Sequence, residues 1–288
     1  MTGDGATAGG TPRVGFIGLG SQGGPMARRI IEAGFPTTLW ARRPETLAPY
    51  AGTAAATAGS PAEVGAASDI ACVCVVDDAG VEEVVAGPGG LLDGMRPGGL
   101  VAVHSTVHPD TCVRLAERAG ERGVALIDAP VSGGGPAAES GTLLVMTGGD
   151  GAQADRAGPV FATYGDPVVH LGPVGAAQRA KLVNNVLFAA HLGVALHAFA
   201  LARGLDIDPG GMSTVLEHGS GRSYGAGVVA GMGFTLDPLV DIAGPLLRKD
   251  ARLVAELVRT TGTEGAGTGA ESMFAAVDDA LKSLKHPR

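Results

Sequence analysis

Between Arg13 and Thr147 the chain alternates short, continuous apolar runs with stretches of helical periodicity. The runs are VGFI at 14–17, TTLW at 37–40, IACVCVV at 70–76, LVAVH at 100–104, VALI at 124–127 and LLVMT at 143–147. Each has the length of a strand and lacks the apolar/polar alternation of a half-solvated one. Strands that read this way are covered on both faces, as in a parallel sheet flanked by helices. The pattern therefore predicts a Rossmann-like, doubly wound α/β domain over residues 13–173. Ser60-Pro61-Ala62-Glu63 marks the start of one crossover helix, with a capping hydroxyl, a proline at the first helical position and an acid at the third.

Past Gly172 the period changes. From Ala176 to Ala202 apolar residues recur at helical spacing until Gly204 ends the segment, and further helices are predicted over 209–217, 222–232, 238–260 and 269–284. The expected architecture is a Rossmann-like N-terminal domain joined by a long helix to an all-helical C-terminal domain, the helix and that domain occupying 174–288. The long helix is apolar around most of its circumference, through Leu182, Val183, Val186, Leu187, Phe188, Leu192, Val194, Leu196 and Phe199. Such a helix is expected to be buried on more than one side, between domains or between subunits. A helical domain of this size finishes its core against a partner, so a homodimer or homotetramer is expected. Residues 1–12, rich in Gly, Thr and Ala without periodicity, read as a disordered leader.

Composition narrows the possible partners. The 288 residues are 45% hydrophobic and 17% charged, enough to bury a large core and to exclude wholesale disorder. Aromatics are only 4%, so that core is built from Ala, Val and Leu, and 48 glycines imply many turns or close backbone approaches. A net charge of −8 argues against a nucleic-acid surface. No run approaches 18 uninterrupted apolar residues and the first residues lack the features of a secretory signal, so a soluble, cytoplasmic protein with no membrane partner is expected. Cys72, Cys74 and Cys112 fit packing in a reducing compartment better than a disulfide framework, and their spacing matches no common zinc pattern.

Four groups of residues carry candidate chemistry. Gly18-Leu19-Gly20-Ser21-Gln22-Gly23 follows the first strand directly and opens a helix. In that context the first glycine permits the turn, the second lets amides approach a pyrophosphate, and the third allows close helix packing. About 20 residues further on, NAD-binding chains offer a carboxylate to the ribose 2′-hydroxyl. Here Trp40 is followed by Ala41-Arg42-Arg43. Two guanidiniums suit a 2′-phosphate, so NADP is the expected cofactor and NAD the alternative, a pair of solvated arginines being the bland reading. Asp128-Ala129-Pro130-Val131-Ser132-Gly133-Gly134-Gly135 follows another strand, where glycines after a serine present amides to a small anion such as a carboxylate or form an ordinary loop. Lys181 and Asn185 stand one turn apart on the long helix. A lysine in a desolvated cleft has its neutral form favoured and can exchange a proton with a substrate hydroxyl that the asparagine orients. By spacing alone, a snorkelling lysine at a domain seam is as good a reading. Asp77, Asp78, Glu82 and Glu83 read as solvated charge. There is no His-Glu-x-x-His, which disfavours a metal hydrolase.

With these blocks in view, the chain resembles the β-hydroxyacid dehydrogenase family, which includes 3-hydroxyisobutyrate dehydrogenases, tartronate semialdehyde reductases and 6-phosphogluconate dehydrogenase. The resemblance runs from Arg13 to about Lys285. It is carried by VGFIGLGSQGGPMA at 14–27, HSTVHPDT at 104–111, DAPVSGGGPAAESGTLLVMTGGD at 128–150, GPVGAAQRAKLVNN at 172–185 and RKDARLV at 248–254. It implies that Lys181 is the catalytic acid/base with Asn185 its partner, and that Ser132, Gly133 and Gly134 bind the carboxylate of a small-molecule substrate. It also implies that Gly18 to Gly23, Arg42, Arg43, Val76 and Thr106 line the cofactor, Ser105 and Thr106 lying beside the nicotinamide ribose and ring. It implies, too, that Lys249 approaches the cleft from the second domain and joins the cofactor-binding residues. The implied reaction moves a hydride between C4 of the nicotinamide and the hydroxyl-bearing carbon of a β-hydroxy acid of the 3-hydroxyisobutyrate kind, Lys181 taking the hydroxyl proton. Two features depart from the family pattern: His104 stands where a small or polar residue is common, and the loop 218–224 varies with substrate. Arg222 in that loop binds a second anionic group or forms a surface ion pair. Two other readings stand beside this one. An imine or glyoxylate-type reductase of the same fold is distinguished by whether turnover needs a substrate carboxylate, and imine reductases generally carry another residue at position 181. A sensor that binds NADP without turnover has no use for Lys181.

Overall fold

A computed structural model describes residues 10–262 and 266–288. Most of the expected leader, residues 1–9, lies outside the described residues. The chain divides into two compact units, Met1–Lys181 and Leu182–Arg288.

The first unit contains β1 (Val14–Ile17), α1 (Gly23–Glu32), β2 (Thr37–Trp40), β3 (Ala56–Thr57), α2 (Pro61–Ala67), β4 (Ile70–Val73), α3 (Asp78–Ala86), α4 (Leu91–Gly94), β5 (Leu100–Val103), α5 (Pro109–Gly120), β6 (Ala125–Asp128), β7 (Val131–Ser132), α6 (Gly134–Ser140), β8 (Leu143–Thr147), α7 (Gly151–Phe161) and β9 (Gly165–His170). Helix α8 (Ala176–Gly204) begins in it. Six strands form a parallel sheet in the order β3-β2-β1-β4-β5-β6, with Val14 of β1 in register with Thr37 of β2 and Ile70 of β4. Chain order reverses between β1 and β4, and at such a switch point the strand ends open a crevice for a ligand. The continuous apolar runs are explained by two cores. Phe16, Cys72, Leu100, Ala102 and Ile127 face one layer together with Met26, Leu39 and Tyr164. Their sequence neighbours Ile17, Val73, Val101, Val103 and Leu126 face the other, together with Val64, Val81 and Leu115. Alternate side chains thus enter opposite layers, and neither face can be polar.

One expected strand of the parallel sheet lies elsewhere. LLVMT forms β8 of a separate three-stranded sheet, paired antiparallel with β7 and parallel with β9. The two-residue β7 follows β6 after only two residues, and α6 then returns the chain to pair β8 with β7 rather than with β6. The run 70–76 also stops as a strand at Val73, leaving Val76 exposed in the turn before α3. At α2, the Ser60 hydroxyl accepts the Glu63 N–H at 3.2 Å, while the Glu63 carboxylate reaches past Ser60 to accept the Gly59 N–H at 2.8 Å.

The second unit is helical: the rest of α8, α9 (Pro209–His218), α10 (Tyr224–Gly231), α11 (Gly244–Thr261) and α12 (Ala266–Ser283). Leu182, Val186, Leu192 and Phe199 of α8 enter one core with Val229, Phe274, Val277 and Leu281. Gly193 lets α8 approach α12 closely, because a Cβ there would overlap the carbonyl of Ala276. One side of α8 is left uncovered among the described residues of the chain. Val183, Leu187, Val194 and Leu201 are exposed, spaced so that they recur along one stripe of the helix. By length and composition alone α8 is also apolar enough to cross a membrane, which a search for uninterrupted apolar runs passes over. Of its most apolar window 44% is buried inside the protein.

Candidate active site

The glycine-rich turn sits at the C-terminal end of β1, beside the switch point. Gly18 has φ 99°, and a Cβ there would overlap the carbonyl of Cys74. A Cβ at Gly23, the first residue of α1, would overlap the carbonyl of Gly18, whereas the space at Gly20 is open. The first and third glycines therefore fold the turn and the second leaves a bare approach to it, as a pyrophosphate requires. No side chain caps α1, in contrast to α2, α3, α5 and α7, capped by Ser60, Asp77, His108 and Asp150, and the first turn of α1 holds no acid. A helix start with neither a capping side chain nor an acid, beside an open glycine, fits an anionic dinucleotide.

At the end of β2, Arg42 pairs with Glu83 at 2.6 Å and Arg43 lies 3.9 Å from Glu45, all four side chains being mostly exposed. The acids expected to be solvated do lie mostly at the surface, Asp77, Glu82 and Glu83 being exposed, and they make surface contacts there. Asp77 caps α3, Asp78 accepts from the His108 N–H at 2.8 Å and the Thr111 hydroxyl at 2.7 Å, and Glu82 pairs with Arg114 at 2.6 Å.

Beyond the glycine turn, three more segments of the first unit are tied together by buried polar side chains. Asp128, the last residue of β6, has no exposed surface and accepts the N–H groups of Gly175, just before α8, at 2.8 Å and of Gln178, in its first turn, at 2.9 Å. Burial pushes its carboxyl up from the usual range and those backbone donors oppose the rise. The Gln178 side chain donates to the Ser105 carbonyl at 2.8 Å and accepts the Val107 N–H at 3.2 Å. The Ser105 hydroxyl in turn accepts the Val75 N–H at 2.8 Å, which anchors the turn that presents Val76. Lys181, one turn beyond Gln178, is buried at 8% exposure. In the loop after β6, Gly133 and Gly134 have φ 130° and 74° at the start of α6. A Cβ at Gly135 would lie 3.0 Å from the Ser21 carbonyl, so this loop packs directly against the glycine-rich turn.

His104 joins the same framework from behind. Its ring is buried among Phe16, Phe161 and Tyr164. Nδ1 lies 2.7 Å from the Ala129 carbonyl and Nε2 lies 3.1 Å from the Tyr164 hydroxyl. A carbonyl only accepts, so Nδ1 carries the proton and Nε2 accepts from the tyrosine. Burial drives the His104 pKa down to about 4.

In the second unit, the Asn185 amide donates to Asp250 Oδ2 at 2.6 Å and Lys249 lies 3.0 Å from Asp250 Oδ1. Two residues singled out separately in the sequence are thus joined by a third, Asp250, which is buried. Arg222 lines a cavity of about 830 Å³ with Glu217, Ser223, Tyr224 and Met232. Sequence reasoning assigned nothing to Asp128, Gln178 or Asp250 individually. Each lay inside a quoted block, but a lone polar residue on a helix or at a strand end has no period to mark it. The available signal for Asp250 was its place in RKDARLV beside Lys249.

Residues 13–172 match the family model described as the NAD binding domain of 6-phosphogluconate dehydrogenase. Residues 175–285 match the one described as NAD-binding of NADP-dependent 3-hydroxyisobutyrate dehydrogenase. An uncharacterized oxidoreductase of Mycobacterium tuberculosis is 36% identical over 255 residues, 86% of either chain. The 2-(hydroxymethyl)glutarate dehydrogenase of Eubacterium barkeri is 34% identical over 212 residues, covering 74% of this chain and 70% of the relative. Among solved structures, the 3-hydroxyisobutyrate dehydrogenase of Mycobacterium tuberculosis with L-serine superposes with a TM-score of 0.79 at 26% identity, over 96% of this chain and 95% of the other.

The state of His104 has a consequence for stability. Unfolded, the imidazole takes up a proton near pH 6.5, whereas in the fold it does so only near 4. Between those values the unfolded chain binds more protons, so stability falls as the pH is lowered from about 6.5 towards 4, by about 3 kcal/mol in all. Urea unfolding across this window is expected to give a shallower pH dependence for His104→Asn than for the native chain; equal slopes would contradict the assignment.

Proposed function

The chain belongs to the β-hydroxyacid dehydrogenase family and is an NAD(P)-dependent oxidoreductase, and from this premise we propose that it interconverts a small β-hydroxy acid, of the 3-hydroxyisobutyrate kind, and its semialdehyde with NADP, Lys181 serving as general acid/base. The observation that carries the proposal is the placement of Lys181. It is a buried lysine one turn beyond a helix start anchored on Asp128, and it lies in the same unit as the glycine-rich turn.

The chain's own residues then divide the work. Gly18, Leu19, Gly20, Ser21, Gln22 and Gly23 hold the pyrophosphate at the start of α1, and Val76, Ser105 and Thr106 belong to the cofactor side. Nicotinamide, when bound, accepts or supplies the hydride. The Ser132 hydroxyl and the amides of Gly133 and Gly134 hold the substrate carboxylate, at the start of α6. Lys181 Nζ takes the proton of the substrate hydroxyl in oxidation and returns it in reduction, while Asn185, held by Asp250, orients that oxygen. A carboxylate-bearing β-hydroxy compound is supported by the relatives. One is named for 2-(hydroxymethyl)glutarate and another was solved with L-serine.

NADP over NAD is supported by Arg42 and Arg43 at the end of β2, where no carboxylate precedes them. The pair that Arg42 makes with Glu83 is exposed, and such a pair contributes only about 0–1 kcal/mol, so a 2′-phosphate displaces it readily. Self-association as a homodimer or larger is supported by the exposed stripe Val183, Leu187, Val194 and Leu201.

Lys181→Ala is expected to lower kcat by about 10²- to 10⁴-fold while calorimetry shows cofactor binding retained; undiminished turnover would refute the acid/base role. Arg42→Asp is expected to weaken NADP binding by about 10- to 100-fold, on about 1.5–3 kcal/mol for a hydrogen bond to a charged group, with little change for NAD; equal losses would refute the cofactor preference. Sedimentation at micromolar concentration is expected to show a dimer or larger, and a monomer would contradict self-association.

A further inference from the structure

Gln178 is a fully buried polar side chain that the proposed reaction does not itself use. It donates to the Ser105 carbonyl and accepts the Val107 N–H. These are the peptide groups on either side of Thr106, so the carboxamide brackets that one residue as a neighbouring strand would. The backbone N–H of Gln178 is held by Asp128. Lys181 follows three residues later in α8, on the same face of the helix. One residue therefore joins the segment 105–107, the end of β6 and the helix turn that leads to the lysine.

We infer that Gln178 is the positioning residue that sets Thr106, at the nicotinamide, against the helix bearing Lys181; this rests on the reading of Lys181 as acid/base. The side chain must present a donor and an acceptor together at one length. Asparagine is a methylene too short, and methionine has the length without the polar atoms. A carboxylate lacks the donor. A protonated carboxyl group has both, its O–H donating to Ser105 and its carbonyl accepting from Val107.

That chemistry supplies the test. The ionisable groups facing position 178 are Asp128 of β6 and the thiol of Cys112 on α5, with Lys181 one turn along α8. Burial and the neighbouring Asp128 both favour the protonated form of a glutamate placed there. In Gln178→Glu, kcat at the acid end of the profile is expected to stay within about threefold of the native enzyme. The ratio of variant to native kcat then falls about 10- to 100-fold as the introduced carboxyl ionises, the size of effect seen when groups supporting a site are removed. Gln178→Met is expected to show that loss at every pH. In both variants NADP affinity by calorimetry stays within about threefold of native, and far-ultraviolet dichroism shows a folded chain. A Gln178→Met kcat within twofold of native, a pH-independent ratio for Gln178→Glu, or a kcat loss that merely follows lost cofactor binding or lost folding would overturn the inference. Failure of the Lys181 reading is separable, because it shows as retained activity in Lys181→Ala whatever the Gln178 variants do.

Discussion

The carboxylate of Asp128 is sealed from solvent at the end of β6, and two amides at the start of α8 are its principal donors. A charge in that position is tolerable only because the helix start presents oriented N–H groups and partial positive charge to it. The close fit extends to the residues around it. A Cβ at Gly148 would come within 2.7 Å of Asp128 Oδ1 and 2.9 Å of the Pro173 carbonyl, so the small sheet must pass this point with a bare backbone. From this contact follow the start of α8, the orientation of Gln178 and, through Gln178, the path of the chain at 105–107. His104 adds a second tie, because its ring links the end of β5 to the carbonyl of Ala129, the residue next to Asp128.

The arrangement explains how an apolar, aromatic-poor chain positions polar chemistry. The two layers of the main sheet supply rigidity through Val, Ile, Leu and Ala. The polar residues that matter are few, and most are held by backbone groups rather than by one another. Asp128, Gln178 and Ser105 each spend their side chains on main-chain N–H or C=O groups of a neighbouring segment. Loops fixed in this way are positioned to the accuracy of the sheet itself, as proton and hydride transfer demand.

Much of this was legible in the sequence. Five of the six apolar runs are strands of one parallel sheet, because burial on both faces leaves a continuous hydrophobic signature. The glycine-rich turn was legible because its spacing is fixed by backbone overlap at Gly18 and Gly23. The sixth run, LLVMT, was assigned to the wrong sheet. Its partners are a two-residue strand and GDPVVH, whose side chains are mostly exposed, and neither carries a pattern strong enough to announce a second sheet. On α8 the apolar periodicity was clear, but composition could not tell the buried Leu182, Val186 and Phe199 from the exposed Val183, Leu187 and Val194. Asp128, Gln178 and Asp250 act through single long-range hydrogen bonds, and only tertiary structure shows which partners they meet.

The central claim is that this framework serves hydride transfer on a hydroxy acid gripped by its carboxylate. The most direct measurement is the absorbance at 340 nm of the protein with NADP or NAD across 3-hydroxyisobutyrate, 3-hydroxypropionate, serine, glycerate and simple alcohols without a carboxylate. The account predicts reduction of the cofactor with one or more of the acids and none with the alcohols. Equal turnover of the alcohols, or no turnover of any acid by protein that binds the cofactor tightly, would contradict it.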